Sequence, residues 1–570
     1  MTQASRKTAP EALAPVPFNI PQAFQTTLPN GLRVVIFEDK RLPLVSYRLA
    51  FMSGDVHDPT DAVGLTSAMA SMLTEGTENY SSLALAEKIE RLGASISTSS
   101  SDDFTVIAAS ALALYNSEIL HLMSEIVFRP TFPDDELDLY KRNTIENLKF
   151  QRSQPNFLAN EQTARLLYGA HPYSRVSPAA SDIEKLSSDA LSRFHNHRFI
   201  PNNAVLIAVG DVERDELLKE IEEHFGDWEQ GTAPTSTFPI PPTRENASLT
   251  IVDRQGSAQS NIVLANLALN RNDPDYFAVI VMNQVLGAGA SSRVFMNLRE
   301  EKGYTYGAYT RVDMKKLAGD FEATAEVRTA VTGDSLKEFF YELNRIRDEK
   351  VSDNELADAK NFLTGVFPIR AETQEGLTNL IVSQELYNLP KDYLQTYRDD
   401  VNAVTIDEVQ RVANKYIAPD KMAIIIVGDA EEILPQAKPY AAHIEIFDTD
   451  ENPKELSDYG QTSSEPTADV AGEWVLMLDF QGQELPITLT LTQEGDTVSG
   501  ELSTMLGTGK IESGKVRGGK ISATASTEMQ GNAMEFVITG AVDGDSMNGT
   551  ISAPIVPEPL SFTGTRSKNA

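Results

Sequence analysis

In the stretch GLTSAMASMLTEGT, Gly64 to Thr77, the residues Ser67, Ala70 and Ser71 share one face of a helix at i, i+3 and i+4 spacing. Two side chains four apart with a third between them could hold one metal ion beside a general base. Here they are serine, alanine and serine, which are poor zinc ligands and supply no base. The other stripe, Leu65, Ala68, Met69, Met72 and Leu73, is apolar at the spacing of a buried helix face. The helix therefore has a packing side and lacks a chemical one. A serine hydrolase built on Ser67 or Ser71 would need a base and an oxyanion site, and nothing in the sequence supplies them. Cysteine is absent, which excludes disulfides, thiolate zinc sites and a cysteine nucleophile. Among the seven histidines, His195 and His197 form an H-x-H pair with no third donor nearby, so a surface or capping role is expected for both.

The elements that must position these residues occur twice. IEKLSSDALSRFHNHRFIPNNAVLIAVGD, ending at Asp211, aligns without a gap on VNAVTIDEVQRVANKYIAPDKMAIIIVGD, ending at Asp429. Pro201 falls on Pro419, Gly210 on Gly428 and Asp189 on Asp407. Each copy predicts a capped helix, a proline turn, a buried strand and a Gly-Asp turn. Two related halves follow, residues 18–230 and 247–447, after a lead-in over residues 1–17 that reads as disordered. The Pro- and Thr-rich stretch 231–246 is the connection between them. Residues 448–470 are acidic and nearly free of apolar side chains, which predicts a flexible tether. From 471 to 567 short alternating runs separated by EGD, ESG, RGG and DGD predict a small antiparallel barrel. Its Gly472-Glu473-Trp474 opening and Arg566 resemble the Gly-x-Trp and closing Arg of calycin-like barrels, where the cation covers the indole. A filled, structural module is the expectation for it, with a ligand-holding cup as the alternative.

Composition narrows the partners. The 570 residues carry a formal net charge of −33, so nucleic acid and anionic membrane surfaces would repel the chain. No run approaches the ~20 apolar residues of a membrane span. The N-terminal MTQASRKTAPEALAPVPFNIP has no apolar h-region, so cytoplasmic residence is expected, with a periplasmic or exported location after signal removal as the alternative.

The stretch GAGASSRVFMNLREEKGYTYGAYT, Gly287 to Thr310, resembles the Gly-rich, Ser-Arg-Leu-Phe and Leu-Arg-Glu…Gly-x-x-Tyr signature of the pitrilysin/insulinase group of zinc metallopeptidases. That resemblance implies an α+β chain of two homologous α/β-sandwich halves, followed here by the small barrel. In the family an H-x-x-E-H zinc helix lies in one half and an Arg–Tyr pair seven residues apart in the other. Arg299 and Tyr306 fit that pair, and the resemblance gives them substrate binding and oxyanion stabilisation. Gly287 and Gly289 would let an extended substrate backbone approach. The Gly64 helix falls in register with the zinc helix, so Ser67 and Ser71 replace its histidines, Ala70 its glutamate and Asn147 the third ligand. Glu146, next to Asn147, points about 100° away on a helix. The implied protein is the zinc-less, substrate-binding subunit of a heterodimeric peptidase, without a cofactor of its own. Its zinc would sit in an H-x-x-E-H partner, and its substrates would be peptides. A non-catalytic scaffold or core subunit of a complex is the rival.

Overall fold

The computed structural model describes residues 18, 20–459, 467–480, 483–504, 507–529, 532–552 and 559–567. In the first half, buried runs such as VVIF and AVLIAVG form a six-stranded mixed sheet. Its order is Phe24–Thr27, Arg33–Glu38, Ala204–Gly210, Leu44–Phe51, Thr105–Leu112 and Ser95–Ser100. The second half repeats that order over five strands, takes its sixth from the end of the half, parallel to its neighbour where Phe24–Thr27 is antiparallel, and adds one short strand at the edge: Pro453–Lys454, His443–Phe447, Ser248–Asp253, Ala423–Gly428, Gln259–Ala268, Gly319–Arg328 and Thr305–Met314. In both sheets the strand after the proline turn is parallel to one neighbour and antiparallel to the other. The helices Ser188–Arg198 and Ile406–Tyr416, each capped by a Ser or Thr hydroxyl, stand at matching places before those strands. The internal repeat is therefore a repeat of topology over five strands of each sheet.

Each half lends a helix to the other's sheet. Helix Pro155–Tyr168 of the first half packs on Ala423–Gly428 and Gln259–Ala268, burying Leu158, Leu167 and Tyr168 against Val252, Val263 and Ile425. Helix Gln374–Leu386 of the second half packs on Ala204–Gly210 and Leu44–Phe51. At about 1.5–3 kcal/mol for each large apolar side chain buried, the exchange welds the halves into one unit. Polar contacts add direction to it. Lys315 pairs with Asp102 at 2.8 Å, the Lys316 N–H donates to Asp103 at 3.0 Å, and the Tyr168 hydroxyl donates to Asp320.

Asp320 is 4% exposed and its Oδ1 has no hydrogen-bond partner. Burial, then the charges of Glu322 and Asp313, push its carboxyl up to about 7 against the pull of Tyr168 and Lys315. Between the ordinary carboxylate value and about 7 the folded chain holds a proton that the unfolded chain has released. Stability from this group is therefore lost as pH rises through that window. Asp320→Asn should raise the melting temperature at about pH 8 and leave it nearly unchanged at about pH 4. Equal shifts at both values, read by calorimetry, would show that Asp320 is not the titrating group.

The expected tether is ordered over its first part. Pro453–Lys454 pairs with Ile446 and Phe447 at the sheet edge, Glu451 lies 3.7 Å from Arg152, and the Tyr459 hydroxyl donates to Asp253 at 2.9 Å. Low apolar content predicted freedom; the edge strand's unpaired backbone and the charges of the first half supply the order instead. Residues 460–466 of that stretch, and the whole lead-in over residues 1–17, lie outside the described residues. A chain ending after Tyr459 should melt like the peptidase-like part of the full chain, whereas one ending after Phe447 should melt several degrees lower. Identical melting of the two would show that the strap adds nothing.

The C-terminal strands close into an eight-stranded antiparallel barrel, each pairing with the next and Leu560–Arg566 returning to Gly472–Phe480. Trp474, Leu476, Leu489, Val498 and Ile538 fill its interior. Arg566 sits 4.7 Å over the Trp474 ring and donates to the carbonyl of Ala471. The barrel meets the second half where Thr524 donates to the Gly256 carbonyl at 2.9 Å and Arg254 pairs with Glu535 at 3.2 Å, and again where Lys515 lies 3.8 Å from Glu432.

Candidate functional site

Helix Leu65–Met72 begins at Gly64, whose φ of 89° is the left-handed conformation that glycine adopts without strain. Glycine has no capping side chain. Asp58 supplies one from six residues upstream, accepting from the Gly64 N–H at 2.7 Å, the Thr66 N–H at 2.8 Å and the Thr66 hydroxyl at 2.6 Å. The helix buries Leu65, Ala68, Met69 and Met72 and packs on helix Ser188–Arg198 and edge strand Ser95–Ser100.

Its would-be metal positions are put to other uses. The Ser67 hydroxyl is taken up by Asp55, at 3.1 and 3.2 Å, and by Ser100 at 2.8 Å. Ala70 is 1% exposed, and its carbonyl accepts from Thr98 at 2.6 Å. Only Ser71 and Asn147 line a common cavity, of about 390 Å³, beside Glu75, Tyr140 and Thr144. Glu146 pairs with Lys149 at 2.8 Å. The donors at these positions are hydroxyls and an amide. Among the described residues no three His, Cys, Asp or Glu side chains are grouped to hold a metal ion, so a zinc ion does not fit here. Asp55 is the residue that sequence reasoning missed. Burial, then Asp58, raises its carboxyl to about 7, while hydrogen bonds from Ser100 and Ser67 pull it down.

Arg299 and Tyr306 lie in the second half, at the junction of a π-helical turn, Met296–Glu301, with edge strand Thr305–Met314. Such wide turns recur at functional sites. The motif's first arginine, Arg293, is structural: it is 8% exposed and bonds Glu355 at 2.7 and 3.1 Å. That carboxylate, at a helix start, is held down at about 2; burial opposes the shift, but Arg293 and the Ser352 N–H outweigh it. Arg299 differs. Its guanidinium lies 5.0 Å over the Phe295 ring and pairs with neighbouring Glu300 at 2.6 Å, leaving the side chain 44% exposed. Tyr306 is 92% exposed, and its hydroxyl makes no hydrogen bond among the described residues.

Gly287 has a packing reason. Its carbonyl accepts from the Thr310 N–H at 2.9 Å, and a Cβ there would meet the Thr310 hydroxyl at 2.3 Å. The glycine lets the helix end cover the middle of an edge strand. Gly289 faces only the Gln284 amide.

His195 departs from the surface role expected of it. It is 6% exposed, between Phe132 and Phe199, because the last turn of its helix faces the core, and burial lowers its imidazole to about 4. His197 is exposed and bonds the Arg193 carbonyl at 2.6 Å, near the helix end.

A two-half peptidase-like body with an unligandable zinc helix and an Arg–Tyr turn defines an inactive metallopeptidase homologue. Residues 33–175 match the family model Insulinase (Peptidase family M16), and residues 185–363 match Peptidase M16 inactive domain. The chain belongs to peptidase family M16 and is an inactive, peptidase-like member. It is 23% identical to the "Uncharacterized zinc protease YmxG" of Bacillus subtilis, over 70% of this chain and 97% of that protein. It is 24% identical to the "Non-peptidase homolog YmxG" of Helicobacter pylori, over 70% and 92% respectively. Among solved structures, a peptidase M16 inactive domain from Pseudomonas fluorescens superposes with a TM-score of 0.67 at 28% identity, covering 71% of this chain and 98% of that one.

Proposed function

We propose that this chain is the zinc-less, substrate-binding subunit of a heterodimeric metallopeptidase that degrades or processes peptides. The observation that carries this reading is Tyr306, whose hydroxyl stands free in solvent in a chain whose own metal positions are turned to other uses. A phenol kept unpartnered on the strand that follows the π-helical turn of Arg299 is placed to donate to the oxyanion that forms when a peptide carbonyl is attacked. Arg299, loosely held by Glu300, can exchange that partner for a substrate carbonyl or terminal carboxylate. The metal and the activated water would come from a second M16 chain with an intact H-x-x-E-H helix. The barrel, closed over a packed interior with Arg566 on Trp474, is read as a calycin-like structural module.

The test is reconstitution with the H-x-x-E-H chain encoded nearest this one. Neither chain alone should hydrolyse a quenched fluorescent peptide, and the mixture should. A stable complex that shows no hydrolysis over a broad peptide library would favour the scaffold.

A further inference from the structure

The strand that carries Tyr306, Thr305–Met314, is irregular at its start. Val327 of the neighbouring strand faces Thr305 and Ala325 faces Ala308, so Tyr306 and Gly307 together stand opposite Glu326. That is a β-bulge, in which an extra residue bends a strand and re-aims a side chain. Its effect here follows from the alternation of strand residues between two faces. Ala308 and Thr310 are 0% and 3% exposed, and counting back by two would send Tyr306 into the same core. The extra residue breaks the count, and Tyr306 stands outside.

Thr305 holds the bulge. Its hydroxyl accepts the Gly307 N–H at 3.1 Å, and its proton is within reach of the Glu326 carbonyl at 2.6 Å and the Gly307 carbonyl at 2.9 Å. One side chain thus ties the bulge to itself and to the next strand. Gly307 allows the bend, since a Cβ there would meet Cε2 of Tyr309 at 2.6 Å. Before Thr305 the chain is fixed by its backbone, with the Gly303 N–H on the Arg299 carbonyl at 3.1 Å and the Tyr304 N–H on the Leu298 carbonyl at 3.0 Å. The path from Arg299 to Tyr306 is therefore set, and Thr305 sets its last step. Thr305 fills an open position of the Gly-x-x-Tyr signature, so no motif points to it.

We propose that Thr305 is the positioning residue of Tyr306, its hydroxyl pinning the bulge that turns the phenol outward. The catalytic consequence rests on the oxyanion reading of Tyr306; the pinning itself does not.

In the isolated chain, Thr305→Val keeps the shape and the strand preference of the residue and removes the hydroxyl. Hydrogen exchange over Tyr304–Tyr309, read by mass spectrometry, should quicken about fivefold to tenfold, the scale of one hydrogen bond, with Thr305→Ser close to the parent. In the two-chain peptidase, Thr305→Val should lower kcat by about tenfold and leave KM within about twofold, and Thr305→Ser should restore kcat. In a Tyr306→Phe background the same change should cost nothing further. Unchanged exchange in Thr305→Val would overturn the assignment. So would an undiminished loss of kcat in the Tyr306→Phe background, which would show that Thr305 acts through some other group. Quickened exchange in Thr305→Val, together with full turnover in Tyr306→Phe, would sink the oxyanion reading and leave the pinning of Tyr306 upheld.

Discussion

Tyr306→Phe in the assembled two-chain peptidase should lower turnover by about 10²-fold or more, the usual scale for losing one oxyanion donor, while the complex forms as before. The fold has no stake in that hydroxyl: the side chain is 92% exposed and its oxygen has no partner among the described residues. A matching loss of stability would therefore be unexpected. Arg299→Ala should act through substrate capture, raising KM more than it lowers kcat. The Arg299–Glu300 pair it removes is exposed on both sides and worth about 0–1 kcal/mol to the fold. Initial rates at saturating and limiting peptide separate the two effects. Unchanged turnover in the Tyr306→Phe complex would transfer the function to the scaffold reading.

The opposite change, from no metal site to one, is expected from Ser67→His, Ser71→His and Asn147→Glu made together. The parent chain should hold no stoichiometric zinc after dialysis, and the triple variant should hold one ion per chain by metal analysis. Two features favour the gain. Ser71 and Asn147 already line one cavity. Asp55, which now accepts from Ser67, would accept the second ring N–H of an imidazole at that position and orient it, as carboxylates behind zinc histidines do. Activity is a harder target, because the position of the general base, Ala70, is closed over by its neighbours and has its carbonyl engaged by Thr98. One tightly held zinc in the parent would overturn the reading of the site, and no zinc in the variant would show that the surrounding helices have shifted too far to coordinate it.

What the sequence disclosed was local or repeated. The proline turns at Pro201 and Pro419 lead into strands at the same place in the two sheets, and the Gly64 helix shows its apolar stripe and its Ser67, Ala70 and Ser71 positions directly in the spacing. Groups that meet through the fold were out of reach. Asp55 follows the Leu44–Phe51 strand and Ser100 ends another, and no periodicity links either to Ser67. Gly287 looked like a loop residue made for a ligand, whereas its neighbour across space, Thr310, accounts for it. In the barrel, ESG reads as a turn in the sequence, yet it lies inside the strand Gly507–Arg517, whose bulges break the alternation while it pairs on both sides. The tether's polarity was visible, but the edge that orders it was not.

The exchange of helices between the halves has a consequence during synthesis. Leu158, Leu167 and Tyr168 emerge from the ribosome with no surface to cover them, because their counterparts include Val263, Ile425 and Val427. At roughly 5–20 residues per second, translation leaves that face bare for on the order of tens of seconds. The nascent first half is thus a natural client for chaperones that shield apolar helices, and a ribosome stalled between the halves would release a fragment prone to aggregate.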